Sequence, residues 1–147
     1  MLDRRSVIGS GAALAGMALT TSAAAEIKTP GGSAMGAMTF DACIDKCIAS
    51  HRQCLETATY AIGQDRATDS VRRIAILLDC AELCQATANS MLRKSSQHAL
   101  LCETCARLCE NCAEACLSKA SDAVMRSCAA TCRDCARACR DMASMKM

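Results

Sequence analysis

Residues 101–117 read LCETCARLCENCAEACL, and this stretch decides the fold. Charged side chains such as Glu103 and Arg107 lie between its cysteines and suit a solvated face. The cysteines recur at intervals of three, four, three and four residues, which is the a and d spacing of a helix packed in a bundle; they are Cys102, Cys105, Cys109, Cys112 and Cys116. The stretch therefore predicts a helix whose buried stripe consists of thiols, where leucine and isoleucine are usual.

The same spacing recurs along the rest of the chain. Residues 125–142 repeat it, with a methionine at each end of the cysteine series. Residues four apart on an α-helix share one face about one turn apart, so a Cys-x-x-x-Cys pair presents two sulfurs side by side. Six such pairs occur: Cys43/Cys47, Cys80/Cys84, Cys105/Cys109, Cys112/Cys116, Cys128/Cys132 and Cys135/Cys139.

The periodicity predicts an all-α fold, an antiparallel four-helix bundle with a cysteine-lined core over residues 39–147. Turn and capping residues indicate where the helices begin and end. The first helix is predicted from about Phe40 to Ile62, with Gly63 as its left-handed C-terminal cap, and the second from an N-cap at Asp69 or Ser70 to about Leu92. The third helix is predicted to have Ser95 or Ser96 as its N-cap, and the fourth Ser121. The short loops predict that consecutive helices pack antiparallel.

The N-terminal region has the composition of an export signal. Arg4 and Arg5 precede an apolar run from Val7 to Leu19, and Ala23 to Ala25 offer a small-x-small cleavage pattern. These features predict a twin-arginine-type signal peptide over residues 1–25 and export to the bacterial periplasm. Residues 26–38 contain Pro30 and three glycines without any period, and they predict a flexible N-terminal arm.

The composition excludes several function classes. The 147 residues carry 17 basic and 15 acidic side chains, a formal charge of +2, so the sequence has no electrostatic footprint for nucleic acid. No Ser/His/Asp set, carboxylate pair or glycine-rich phosphate loop indicates an enzyme. Phe40 and Tyr60 are the only residues of the Phe, Tyr and Trp class, so alanine and 14 cysteines must fill the interior.

A thiol-lined core points to a soft metal ion, namely Cu(I), Zn(II) or an iron–sulfur cluster. A Zn(II) ion held by four thiolates keeps a net charge of about −2, and several such sites in one dry core are very unfavourable. One Cu(I) per deprotonated cysteine leaves a charge near zero, and coordination by two or three sulfurs needs no convergence of four side chains. Charge and geometry therefore favour multiple Cu(I) ions per chain.

Other interpretations stay open at this stage. A thiol redox or disulfide-buffer protein would use the same cysteines, although a disulfide between residues i and i+4 of one helix is strained. A zinc-binding structural module would hold about three or four ions at four thiolates each. The Cys-x-x-Cys spacings within residues 102–112 resemble those of ferredoxins, but iron–sulfur ligands of that kind sit in loops.

One end of the bundle is predicted to collect softer, neutral ligands. In an up-down-up-down bundle the starts of the first and third helices meet the ends of the second and fourth. Thioether and imidazole hold Cu(I) weakly, which suits a port; the alternative is that methionines simply fill an untidy bundle end. The residues gathered there are Met38, Met91, His98, Met142, Met145 and Met147.

His51 is predicted to be a satisfied or exposed histidine. It lies about 60° from the centre of the cysteine arc of its helix, whereas Ser50 lies closer and fits the vacant seam position better.

With these residues the chain resembles the bacterial copper storage protein family, in its exported branch with a twin-arginine signal. Four helices, inward cysteines in Cys-x-x-x-Cys pairs and a Met/His-rich end carry the resemblance, over roughly residues 39–147 plus the signal. It implies high-capacity storage of Cu(I) through cysteine sulfur and assembly into homo-oligomers. The storage role in turn predicts a copper-requiring enzyme or a copper chaperone as protein partner.

The predicted site residues are the port, which follows from the bundle end, and the cysteine ligands, which the resemblance assigns by position. Met38, Met91, His98 and Met142 form the predicted port. The predicted Cu(I) ligands are Cys43, Cys47, Cys54, Cys80, Cys84, Cys102, Cys105, Cys109, Cys112, Cys116, Cys128, Cys132, Cys135 and Cys139.

Overall fold

The computed structural model describes residues 38–64 and 68–145. Four α-helices follow one another in this part of the chain: α1 (Phe40–Gln64), α2 (Thr68–Leu92), α3 (His98–Leu117) and α4 (Ala123–Ala143). They confirm the predicted all-α fold of four helices. The predicted signal peptide, residues 1–25, and residues 26–37 of the predicted arm lie outside the described residues.

The helices are arranged as a ring in which each packs against two neighbours. α1 packs against α2 and α4, and α3 packs against the same two helices. Cys43 near the start of α1 lies 3.9 Å from Cys139 near the end of α4, and Cys54 further along α1 lies 4.0 Å from Cys128 further back on α4, measured between sulfurs. α1 and α4 are therefore antiparallel, and the short connections make the other neighbours antiparallel too.

The predicted C-terminus of α1 and the predicted N-terminus of α2 are wrong. α1 continues through Gly63 to Gln64, so the glycine lies inside the helix and does not cap it. A glycine in a helix costs only about 1 kcal/mol, which the packing of the preceding turns offsets. α2 already begins at Thr68, so Asp69 and Ser70 lie in its first turn.

The turn between α2 and α3 combines backbone hydrogen bonds with one from a serine side chain. Lys94 adopts a left-handed conformation with φ of 51°, and the Ser95 N–H donates to the Ser90 carbonyl at 3.0 Å, which closes α2 in a Schellman-type motif. α3 then begins at His98 with Gln97 as its N-cap, and the Gln97 N–H donates to the Ser95 hydroxyl at 3.2 Å. The prediction of Ser95 or Ser96 as its N-cap is therefore wrong.

α4 is capped by Asp122 and not by the predicted Ser121. The Asp122 carboxylate accepts hydrogen bonds from the N–H groups of Val124 at 2.8 Å and Met125 at 3.2 Å. The Tyr60 hydroxyl donates to its other oxygen at 3.0 Å, which ties the start of α4 to the end of α1. Asp and Ser are equally good N-caps, so only the register of the helix decides between neighbours.

Small side chains fill the interior. All fourteen cysteines are completely buried, and Leu77 is the only leucine among the buried core residues of the described chain. Alanines such as Ala81 and Ala88 pack between the helices. Because cysteine and alanine are small, sulfurs from facing helices meet across the bundle. None of the described helices is long and apolar enough to cross a membrane.

Candidate metal centre

Every predicted cysteine ligand lies in the core of the bundle. All fourteen are free thiols without exposed surface. Each belongs to at least one group of three or four cysteines whose sulfurs all lie within 4.8 Å of one another. The four helices thus bring the whole predicted ligand set together.

Eight of the thiols form a continuous set at the end where α1 begins, and we call it the port-side set. The set contains three groups: the first and second share Cys139, and the second and third share Cys105 and Cys135. Its closest sulfurs are 3.5 Å apart. The three groups are Cys43, Cys102 and Cys139; Cys47, Cys105, Cys135 and Cys139; and Cys84, Cys105, Cys109 and Cys135.

The other six thiols form the distal set, towards the end of α1. Its two groups share Cys112; they are Cys54, Cys80, Cys112 and Cys132, and Cys112, Cys116 and Cys128. The Cys54 sulfur lies 3.6 Å from that of Cys132 and 3.9 Å from that of Cys112. Met125, three residues before Cys128, is buried beyond this set.

The two sets meet at a waist formed by Ser50, Cys80, Cys109 and Cys132. Among the described residues, a single sulfur–sulfur hydrogen bond crosses the waist, between Cys80 and Cys109 at 3.6 Å. The Ser50 hydroxyl oxygen lies 3.9 Å from the Cys109 sulfur and 3.7 Å from the Cys132 sulfur. Ser50 therefore occupies the seam position that its helical register predicts.

Hydrogen bonds between thiols shift their ionisation in both directions. Contacts with Cys109 and three further thiols, together with burial, raise the pKa of Cys80, and contacts with Cys116 and its neighbours raise the pKa of Cys112 in the same way. In contrast, Cys105 accepts hydrogen bonds from the S–H groups of Cys109 and other neighbours. These hydrogen bonds lower the pKa of the Cys105 thiol. A buried thiolate is stable only where its neighbours donate to it.

The grouping suits an ion that shares its ligands. Two of the four-sulfur groups overlap in Cys105 and Cys135, so only two separate four-thiolate sites can exist side by side. That is fewer than the three or four zinc ions expected from the number of cysteines. Cu(I) is satisfied by two or three sulfurs, so overlapping groups can all be used.

Two of the predicted port residues have contacts that suit a ligand. The Met91 sulfur lies 3.8 Å from that of Cys102. The His98 Nδ1–H donates to the Ser95 carbonyl at 3.1 Å, and the Nε2 atom of this buried ring has no hydrogen-bond partner among the described residues. In the neutral ring Nε2 carries a lone pair, which is the form that binds metals.

The other port residues line the same end with less contact. Met142 is fully buried and follows Cys139 by three residues on α4. Met38 and Met145 are partly buried against the core, while Met147 lies outside the described residues. The sequence did not predict that the Phe40 ring would cover His98, with ring centroids 5.2 Å apart.

His51 belongs to none of the cysteine groups. Its Nδ1–H donates to the carbonyl of Ala81 on α2 at 2.9 Å. This contact matches the predicted satisfied histidine, which links α1 to α2.

Comparison with known proteins identifies relatives of the chain. The sequence pattern of a family described as copper storage protein matches residues 37–144. The crystal structure of the Nmul_A1745 protein from Nitrosospira multiformis is similar at 33% identity, with coverage of 73% of this chain and 96% of that chain and a TM-score of 0.66. The Cu(I)-bound copper storage protein BsCsp3 is similar at 28% identity, with coverage of 72% and 100% and a TM-score of 0.67. None of the curated proteins compared with the chain matches it.

Proposed function

The chain belongs to the copper storage protein family, and on that premise we propose that it stores many Cu(I) ions on the cysteine thiolates of its core. The observation that carries the proposal is the burial of all fourteen thiols in overlapping groups. Cu(I) is soft, needs only two or three sulfurs, and gives a nearly neutral core when each ion replaces one thiol proton. Storage requires no substrate pocket or catalytic set, so the proposed role is not enzymatic.

An anaerobic titration of the reduced protein tests this function. Cu(I), and separately Zn(II), is added in the presence of a strong competing chelator, and the ions bound per chain are counted. We expect about fourteen Cu(I), near one per thiol, and about two Zn(II), one for each separate four-thiolate group.

Two other outcomes would contradict storage. Saturation below about four Cu(I) per chain would leave most of the thiols without a role in metal binding. Few free thiols in the protein as isolated from its own compartment, with no Cu(I) uptake before reduction, would favour a redox or disulfide-buffer protein.

Copper enters at the end of the bundle that carries Met91, His98 and Met142. Two observations support this port: the Nε2 atom of His98 has no hydrogen-bond partner in the part of the chain that the structure describes, and the Met91 sulfur lies beside Cys102. Neutral thioether and imidazole ligands hold Cu(I) more weakly than thiolates do, so an ion captured there moves on to the port-side set. Met38 adds a further thioether at the start of α1.

The chain assembles with copies of itself through the outer face of α1 and α2. Large apolar side chains with at least 37% of their surface exposed recur at heptad spacing on both helices, which lie side by side through the His51–Ala81 contact. They are Ile48, Leu55, Ile62, Val71, Leu78 and Leu92, and we call them the α1/α2 apolar face. The corresponding heptad positions of α3 and α4 include Glu103, Glu110, Arg126, Arg133 and Arg140, so this apolar character is specific to one face.

Export and protein partners complete the proposal. The Arg4-Arg5 signal directs the chain to the bacterial periplasm, and a twin-arginine pathway fits a thiol core that folds before it meets an oxidising compartment. A copper chaperone that delivers the ion, or a copper-requiring enzyme that receives it, is the protein partner.

A further inference from the structure

The fourteen thiols do not form one uniform array. Within each of the two sets, neighbouring groups share one or two cysteines, so the sulfur of a shared cysteine belongs to both groups. No group combines a port-side with a distal cysteine. The boundary falls between Cys109 and Cys132, at the level of Ser50.

The waist has fewer sulfur ligands than the rest of the core because one of its inward positions, Ser50, carries a hydroxyl oxygen in place of a sulfur. The Ser50 hydroxyl sits between the sulfurs of Cys109 and Cys132, at 3.9 Å and 3.7 Å. A cysteine at this seam position would place a sulfur there and join the two sets. A neutral hydroxyl is a poor ligand for a soft cation, so Ser50 leaves a gap in the series of ligands.

Only one direct path for a thiolate-bound ion crosses the gap. Cys80 of the distal set and Cys109 of the port-side set are hydrogen-bonded at 3.6 Å, whereas the other hydrogen bonds between cysteine sulfurs in the described chain lie inside one set or the other. An ion that moves from the port end to the distal end must therefore pass between these two sulfurs.

We propose that the core holds two separate Cu(I)–thiolate clusters, one on the eight port-side thiols and one on the six distal thiols, with Ser50 as the separator and Cys80–Cys109 as the relay. The inference rests on the proposed storage of Cu(I) and specifies how the stored copper is distributed. Each ion forms bonds to thiolate sulfurs, and the displaced thiol protons pass to the solvent. No sulfur is oxidised and the copper remains Cu(I), so no further reactant is needed.

Three versions of position 50 test the separation. Wild type, Ser50→Cys and Ser50→Ala are titrated anaerobically with Cu(I) and followed by native mass spectrometry, which counts the ions on each molecule. In wild type we expect species with about eight Cu(I) to accumulate before species with about fourteen. Ser50→Ala, which also lacks a sulfur, should keep this intermediate, whereas Ser50→Cys should lose it and bind about one additional ion.

Backbone amide NMR spectra locate the ions during the same titration. Amide signals around Cys43 and Cys102 should change in the first stage, and those around Cys116 and Cys128 in the second. Cys80→Ser removes the relay, so the second stage should slow at least severalfold while the first is unchanged. Cys116→Ser is the matched comparison, because it also removes one distal thiol but lies far from the waist, so the second stage should slow more in Cys80→Ser than in Cys116→Ser.

The outcomes separate this inference from the proposed function. Smooth filling to about fourteen ions, with simultaneous NMR changes in both halves and the same course in wild type and Ser50→Cys, would overturn the two-cluster arrangement and leave storage intact. Saturation below about four ions would instead contradict storage itself.

Discussion

At the scale of single residues, most thiols of the core hold their protons until metal binds. Contacts with neighbouring thiols and burial raise the pKa of Cys80, Cys112 and Cys135. Nine of the fourteen thiols have a pKa above the ordinary value for cysteine. A thiol with a raised pKa is protonated at neutral pH, so a copper ion must displace its proton.

The affinity for copper should therefore fall as the solution becomes more acidic. Because binding releases a proton, the apparent dissociation constant should rise about tenfold per pH unit for each proton displaced. Competition with a chelator of known pH dependence, between about pH 6 and pH 8, measures this slope. A constant affinity over that range, or no release of protons on copper addition, would show that the thiols are already ionised before binding.

His98 provides a second test at the residue scale. His98→Gln keeps a donor for the Ser95 carbonyl but removes the imidazole Nε2 atom, which has no partner among the described residues. We expect Cu(I) uptake from a coloured chelator to slow at least severalfold with the final capacity unchanged. His51→Gln is the matched control because His51 lies outside the cysteine groups. Equal rates for the two variants would remove His98 from the port.

At the scale of elements, the start of α4 depends on one side chain. The Asp122 carboxylate accepts two backbone N–H groups of α4 and the Tyr60 hydroxyl of α1. Asp122→Ala should lower the free energy of unfolding by about 1–2 kcal/mol, a typical value for the loss of a cap. Urea denaturation of the metal-free protein measures the change. Ser121→Ala should have almost no effect, and equal losses in both variants would contradict the assignment of the cap.

The outer faces of the helix pairs give a further prediction. Leu55 lies in the α1/α2 apolar face, so Leu55→Glu introduces a charge into the proposed contact between copies. Light scattering after size-exclusion chromatography should show an oligomer for the wild type and a smaller species for this variant. Leu100→Glu changes an exposed leucine of α3 and should leave the oligomer intact. A wild type that is monomeric at micromolar concentration would refute self-assembly.

At the scale of the whole molecule, the core of the bundle is closed by its own side chains. Its core consists of free thiols, alanines and a few larger side chains that are already buried against one another. The helices are therefore expected to form before copper binds, and copper should act as a ligand of a folded protein. This distinguishes storage from a structural metal module, which unfolds when its metal is removed.

Copper loading should consequently raise the melting temperature without changing the helix content. A ligand that binds only the folded state raises the free energy of unfolding by about 4 kcal/mol when its free concentration is about 1,000 times its dissociation constant. For a domain of this size, that increase corresponds to a rise in melting temperature of at least about 10 °C. Far-ultraviolet circular dichroism at rising temperature measures both quantities. A metal-free protein without helical signal would contradict this expectation and favour the structural module.

The parts of the fold that were predictable come from short-range periodicity. The spacing of Cys102 to Cys116 determined a helix and its buried face, because 3.6 residues per turn place residues three and four apart on one side. Helix ends were less predictable, as Asp122 shows, because adjacent residues such as Ser121 and Asp122 are both good caps and the packing of α4 decides between them.

The sequence by itself determined four amphipathic helices, the thiols on their inner faces and, through the chemistry of sulfur, the preference for a soft ion. Tertiary structure decided which thiols from different helices meet. Periodicity places Ser50 on the inner face of α1, but only the stagger of the packed helices puts its hydroxyl beside Cys109 and Cys132. That stagger depends on the packing of side chains between helices, and for this reason the division of the core at the waist cannot be read along a single helix.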